Sequence, residues 1–165
     1  MSTIEGMGTS VPIQLQYESK KTMLNHQKIL DAIPHRDPFL LVDEIIEQTD
    51  ARILGSKTFS GDEWFFAGHY PGHPLVPGVL LCEAAMQCGA ILLSRHFADI
   101  QGKIPVATRM NDVRFKRMVR PGEKIVMEVS LTERLAEAFF LKAKVTVDGK
   151  VAARFDFACT AAASD

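Results

Sequence analysis

Two side chains between residues 65 and 87 could exchange protons with a substrate. His69 lies in a loop segment whose glycines and prolines fix the backbone around it. Glu83 lies in a long apolar segment, where loss of hydration favours the protonated, proton-donating form of a carboxyl group. A histidine and a carboxyl group in such settings form a general acid–base pair.

A helix that begins at Gly78 would add a third chemical element. The first N–H groups of a helix have no partner within it, so they remain free to donate. Donors of this kind can hold a carbonyl oxygen as it gains negative charge. A base, an acid and such a donor suffice to remove a proton next to a carbonyl group.

Simpler interpretations of these residues stay open. A single loop histidine is more often structural or solvated than catalytic, and a glutamate in an apolar helix could need only a buried polar partner. His69 and His73 are spaced like zinc-binding histidines on a helix, but the proline and glycine between them exclude a helix, so we expect no metal site. Cys82 and Cys88 are expected to act as small hydrophobic residues.

The apolar segment from residue 79 to 97 is predicted to be the helix that carries Glu83. Glu83 and Gln87 are four residues apart and therefore share one face. The other faces are apolar, so we expect the helix to be buried nearly all round. Polar residues interrupt the segment, which argues against a membrane span.

The C-terminal part predicts a sheet around this helix. Apolar and polar residues alternate at 125–131, 141–147 and 151–159, as in half-buried antiparallel strands. Asp148-Gly149 predicts a hairpin between the last two strands, and Pro121-Gly122 predicts a turn. Residues 52–60 predict another strand, and residues 39–46 predict a strand or a short amphipathic helix. We therefore expect an α+β domain whose sheet wraps the helix, with a second subunit covering the remainder.

The composition fits one soluble domain. The 165 residues are 47% apolar and 24% charged with a net charge of −1, which excludes a disordered, collagen-like or membrane-bundle protein. Three cysteines without paired spacing suggest a reducing, cytoplasmic location. The residues up to about 27 are predicted to be a loosely ordered extension or a short accessory helix.

Five blocks between residues 29 and 160 resemble the FabZ-type (3R)-hydroxyacyl-[acyl-carrier-protein] dehydratases, in order and with compatible spacing. They lie at residues 34–43, 65–74, 77–87, 114–123 and 147–151. The resemblance implies the hot-dog fold over residues 29–162, after an extension at 1–28. It also implies a homodimer, with a trimer of dimers left open, in which each site combines the histidine of one subunit with the glutamate of the other.

By the same resemblance, His69 is the base that acts on C2 of the substrate and Glu83 is the acid that assists loss of the C3 hydroxyl. The Gly78 N–H would polarise the thioester carbonyl. A glutamate at position 83 favours the FabZ type over the FabA type, which carries aspartate there. No metal and no dissociable cofactor are implied. The residues expected to bind the substrate are Phe66, Tyr70, Pro71, Val79 and Gln87.

Some residues depart from the family pattern. Met86 stands where the family usually has alanine, Tyr70 stands where it usually has phenylalanine, and residues 106–109 replace a segment that is often aromatic and contains glycine. These departures leave His69 and Glu83 intact but leave the acyl chain length and the shape of the tunnel open. The sequence also leaves open the pathway and the division of proton transfers between His69 and Glu83.

A basic stretch is hidden by the near-zero net charge. Residues 103–124 contain seven lysines and arginines against two acidic residues, which favours an acidic partner. The resemblance supplies one, acyl carrier protein with its phosphopantetheine-linked acyl chain, docking on Arg114, Lys116, Arg117 and Arg120. A solvated strand face is the simpler alternative. Nucleic acid is disfavoured because no aromatic stacking platform accompanies the charges.

Two other functions remain as alternatives to the dehydratase. A thioesterase on the same fold would also use a helix N-terminus and a carboxylate. A non-catalytic module that binds an acyl carrier or a lipid would need neither His69 nor Glu83.

Overall fold

The part of the chain that the structure describes folds into two helices and six strands. The structure, a computed structural model, describes residues 12–97 and 103–163. In chain order the elements are α1 (Ile13–Ala32), β1 (Glu44–Gln48), β2 (Arg52–Thr58), α2 (Gly78–Phe97), β3 (Lys103–Phe115), β4 (Lys124–Leu135), β5 (Ala138–Val147) and β6 (Lys150–Ala163).

The strands form one antiparallel sheet in the order β1-β2-β4-β5-β6-β3, and α2 packs against β2 to β6. The buried residues of β5 alternate with more exposed ones, so one face of the strand meets the helix. This sheet wrapped around a central helix confirms the predicted α+β hot-dog architecture.

Helix α2 is enclosed as its apolar sequence predicts. Twelve of its 20 residues are buried, so its length and apolar character, which would also suit a membrane span, serve the core of the protein. Gly89 allows the closest approach to the sheet. A Cβ atom at this position would lie 2.7 Å from Cζ of Phe157, which is shorter than normal van der Waals contact.

The predicted turns are present. Asp148 and Gly149 join β5 to β6 with φ angles of 49° and 74°, the positive values that a two-residue hairpin loop of type I′ requires. Gly122, after Pro121, has a φ of 85°.

Three segments differ from the pattern-based expectation. Helix α1 continues to Ala32, beyond the short accessory helix expected up to about residue 27. Strand β1 begins only at Glu44, because Phe39 O and Leu41 N bond to the Gln87 side chain instead of to a strand. Strand β3 is not predicted by sequence periodicity and corresponds to the solvated strand face given as the alternative for the basic stretch; most of its residues are exposed, so it lacks the alternation of a half-buried strand.

The two edge strands of the sheet, β1 and β3, have different neighbours. At β1, the Asn25 side chain of α1 accepts from Ile45 N and donates to Ile45 O, both at 2.9 Å. The helix therefore occupies backbone groups of this edge. The edge of β3 that faces away from β6 has no neighbouring strand among the described elements.

Candidate active site

The His69 loop is held by its own backbone turns. The N–H of His69 donates to Phe65 O at 2.9 Å, and the N–H of His73 donates to Tyr70 O at 2.9 Å. Tyr70 has a φ of 53°, which is uncommon for a non-glycine residue, and its ring meets that of His69 edge-on. The loop therefore presents His69 in a defined orientation.

The imidazole of His69 has a defined hydrogen-bond pattern. Its Nδ1 lies 3.0 Å from the carbonyl oxygen of Leu75. Because a carbonyl can only accept, this contact places the hydrogen on Nδ1 and leaves a lone pair on Nε2 in the neutral ring. Nε2 is therefore the nitrogen that can take a proton.

A cavity of about 740 Å³ contains His69, and we call it the histidine cavity. Gly78 and Val79 line it at the start of α2, and Phe115 lines it from the end of β3. A Cβ atom at position 78 would lie 2.8 Å from Cε1 of Phe115, so any larger residue there would displace the Phe115 ring from its place in the cavity wall. Pro77 O accepts from the N–H groups of Leu80 and Leu81, so the two earlier N–H groups of the helix remain available as donors.

Glu83 lies in a second cavity of about 270 Å³, which we call the glutamate cavity. Its Oε1 accepts a hydrogen bond of 3.0 Å from Gln87 Nε2, and Nε2 of His35 lies 3.6 Å from the same oxygen. Met86 also lines this cavity, together with residues 104–107 of β3 and Cys159 of β6. The carboxyl group thus has polar neighbours in addition to apolar walls, which the helix sequence alone does not show.

Gln87 ties α2 to the segment before β1. Its Nε2 donates to Phe39 O and its Oε1 accepts from Leu41 N, both at 2.8 Å, and its side chain is almost completely buried. With the bond to Glu83, both amide hydrogens are used within the protein. Gln87 lines the glutamate cavity, but its hydrogen bonds fix Glu83 and the preceding segment.

Within one chain, His69 and Glu83 lie in different cavities. No residue lines both of these cavities. Gly78 and Glu83 are five residues apart on α2, which corresponds to about 140° around the helix axis. The proposed base and acid are therefore not brought together by the described residues of a single chain, whereas His69 and Gly78 are.

Of the other residues predicted to bind the substrate, two line the histidine cavity and two line neither cavity. Tyr70 and Val79 are exposed and line the histidine cavity. Phe66 is buried against Phe65, with ring centroids 4.6 Å apart, and lines neither cavity. Pro71 is exposed on the loop and also lines neither cavity.

The basic residues predicted for docking do not form one uniform patch. Lys116 and Arg117 line the histidine cavity. The Arg117 guanidinium donates to Glu123, whose pKa is lowered from its ordinary value chiefly by the backbone N–H of Arg120 and also by Arg117. Arg114 lies opposite Arg154 in the sheet and lines a separate charged groove.

The cysteines agree with the expectation that they pack as small hydrophobic residues. Cys82, Cys88 and Cys159 are buried and unpaired. Burial raises the pKa of Cys82 and of Cys159 to about 11 and that of Cys88 to about 12, so the thiol form is retained. Over residues 12–97 and 103–163, no group of three or more His, Cys, Asp or Glu side chains is arranged to hold a metal ion.

His35 is the cavity residue that reasoning from side-chain types did not select. It lies in the Pro34-His35-Arg36 block, but nothing in that block indicates a contact with α2. The contact arises because Gln87 holds residues 39–41 against the helix. The available signal was a histidine within a block that resembles the family pattern.

The chain is similar to known dehydratases over most of its length. Residues 33–156 match the model of the FabA-like domain. Proteins named 3-hydroxyacyl-[acyl-carrier-protein] dehydratase FabZ are 42% identical in Clostridium perfringens and 46% identical in Herpetosiphon aurantiacus; each alignment covers 79% of this chain and 93% of the relative. The relative of the same name from Bacillus pumilus is 45% identical, over 79% of this chain and 90% of its own.

A solved structure shows the same fold at low identity. It is described as the dehydratase heterocomplex ApeI:P from Xenorhabdus doucetiae and matches with a TM-score of 0.67 and 16% identity, over 80% of this chain and 89% of that chain. From its sequence matches and its fold, this chain belongs to the FabA-like family, among relatives of the FabZ type.

Proposed function

We propose that this protein converts (3R)-hydroxyacyl-[acyl-carrier-protein] to trans-2-enoyl-[acyl-carrier-protein] in fatty-acid biosynthesis. One observation carries the proposal. His69 is held by Leu75 O with its Nε2 left free, in the same cavity as the start of α2 at Gly78. A base and free N–H donors in one cavity suit the removal of a proton next to a thioester carbonyl.

The elimination uses three groups. Gly78 N–H donates to the thioester carbonyl oxygen, which stabilises the negative charge that develops there. His69 Nε2 takes the proton from C2, and the electrons of that C–H bond form the C2–C3 double bond. Glu83 gives a proton to the C3 hydroxyl as the C3–O bond breaks, so one water leaves.

The complete site requires a second copy of the chain. The open edge of β3 carries exposed apolar side chains at Ile104, Val106 and Met110, and such an edge favours pairing with another strand. Antiparallel pairing of two β3 strands about their midpoint sets residues 104–107 of one chain beside residues 111–114 of the other. Because the first range lines the glutamate cavity and Phe115 lines the histidine cavity, Glu83 would face His69 of the partner subunit.

Acyl carrier protein docks on the basic residues Arg114, Lys116, Arg117 and Arg120, which contact it at separate points rather than as one patch. Lys116 is the best placed of the four, because it is exposed and lines the histidine cavity into which the phosphopantetheine arm must reach. Arg117 is already paired with Glu123, and Arg114 lies towards the separate groove. The reaction takes place in the cytoplasm and requires no metal or dissociable cofactor.

The proposal is tested with 3-hydroxyacyl and 2-enoyl thioesters, following the absorbance of the conjugated enoyl group. Wild-type protein should interconvert the two, and His69→Ala and Glu83→Gln should each lower kcat at least about a hundredfold, the usual contribution of general acid–base groups. His73→Ala, which changes an exposed histidine of the same loop, is the matched control. Unchanged rates in both site variants, or release of free thiol without enoyl formation, would contradict a dehydratase and favour a thioesterase.

A further inference from the structure

His35 and Gln87 approach the same oxygen of Glu83. Gln87 Nε2 donates to Oε1 at 3.0 Å, and His35 Nε2 lies 3.6 Å from Oε1. Among the described residues, none forms a hydrogen bond or an ion pair with Oε2. The two oxygens of this carboxyl group therefore have different surroundings: Oε1 faces protein donors, and Oε2 is left for another partner.

The position of His35 is fixed from both sides. On one side, the Arg36 guanidinium donates to Leu30 O and Ile33 O at the end of α1, at 3.0 and 2.8 Å. On the other side, the His35 ring stacks on Phe39, with an interplanar angle of 23°, and Phe39 is held by Gln87. The backbone around His35 is therefore held by Arg36, and its ring would lose the contact with Phe39 if it turned away from Glu83.

The second ring nitrogen indicates where the hydrogen lies. His35 Nδ1 is buried and has no hydrogen-bond partner among the residues that the structure describes. An unpaired buried N–H is rarer in proteins than an under-used acceptor. The hydrogen of the neutral ring is therefore better placed on Nε2, where it points towards Glu83 Oε1.

We propose that His35 is a positioning residue that keeps the proton of Glu83 on Oε2 by placing a donor beside Oε1. In the acid form of Glu83, Oε1 is the carbonyl oxygen, which accepts from Gln87 and has His35 Nε2 at 3.6 Å, while Oε2 carries the proton. That proton passes to the C3 hydroxyl, the C3–O bond breaks, and the carboxylate that remains is stabilised by the same two donors. This inference rests on the proposed function, because it concerns the acid of that reaction.

The test compares amides that replace different atoms of the imidazole. The side-chain nitrogen of glutamine can occupy the place of Nε2, whereas that of asparagine reaches only the place of Nδ1. We expect His35→Ala to lower kcat about tenfold with little change in KM, the effect of losing a donor beside the carboxylate that forms in the reaction. His35→Gln should restore most of kcat, and His35→Asn should not.

Thermal unfolding of the three variants provides the control for folding. If His35→Ala fails to fold, kcat is compared between His35→Gln and His35→Asn at equal thermal stability. Wild-type kcat in His35→Ala, equal recovery by both amides, or an effect confined to KM would overturn the positioning role. An inactive wild type would instead refute the proposed function, so the two failures are distinguishable.

Discussion

Gln87→Met should lower the stability of the protein, because it removes the hydrogen bonds that join the segment before β1 to the central helix. Methionine is close to glutamine in size and shape, so the main change is the loss of three hydrogen bonds. Leu41 N–H then becomes a buried donor without a partner, which costs about 1–3 kcal/mol. Phe39 O is less buried, so the loss of its hydrogen bond costs less. The free energy of unfolding should decrease by about 2–4 kcal/mol in total.

The measurement is chemical and thermal unfolding at one fixed protein concentration. For a chain of this size, each 1 kcal/mol lowers the unfolding midpoint by about 2–4 °C, so we expect a decrease of about 4–16 °C. Gln27→Met is the matched control, because Gln27 is exposed and, among the residues that the structure describes, forms a side-chain hydrogen bond only to Asp31 on its own helix. We expect it to change stability by less than about 0.5 kcal/mol. If Gln87→Met lowers the free energy of unfolding by less than about 1 kcal/mol, the Gln87 amide does not hold this segment on the helix.

Other outcomes follow from the cavities and the charges. Lys116→Glu should raise KM for carrier-linked substrate about tenfold while leaving KM for a small thioester unchanged; the control is Lys28→Glu, because Lys28 is exposed on α1, which packs against β1 at the opposite edge of the sheet. Equal effects on both substrates would contradict docking. Met86→Ala should enlarge the glutamate cavity, so rates measured on a ladder of acyl lengths should shift towards longer chains, and an unchanged profile would exclude Met86 from length selection. Hydrogen bonding, first from Lys144, lowers the pKa of Glu128, so its stabilising effect is present above the ordinary carboxyl pKa of about 4.3 and is lost as the pH falls through the lowered value. Glu128→Gln should therefore weaken the decline of stability with acid, and an identical acid profile would contradict this assignment.

The elements whose apolar residues recur at regular spacing could be predicted from the sequence. Helix α2 and strands β4 to β6 each bury one continuous set of apolar residues, and the Asp148-Gly149 turn fixes the hairpin between the last two. Strand β3 could not be predicted in this way. It lies at the edge of the sheet with both faces largely exposed, so burial imposes no alternation on its residues.

For the candidate site, the sequence selects residue types, whereas the cavities in which they lie come from the structure. His69, Gly78 and Glu83 stand out as chemically useful groups, and the first two share a cavity. The separation of His69 from Glu83, and the approach of His35 to Glu83, depend on tertiary contacts made by Gln87 and β3. Local sequence patterns carry no information about such contacts.

The central claim is that His69 of one subunit works with Glu83 of another. The direct measurement is the activity of a mixture of His69→Ala and Glu83→Gln chains that are unfolded and refolded together in equal amounts. A shared site predicts that each mixed dimer regains one intact site, so a random mixture recovers about a quarter of wild-type activity although each variant alone is inactive. A mixture that forms mixed dimers, as shown by mass, and yet stays inactive would contradict the account.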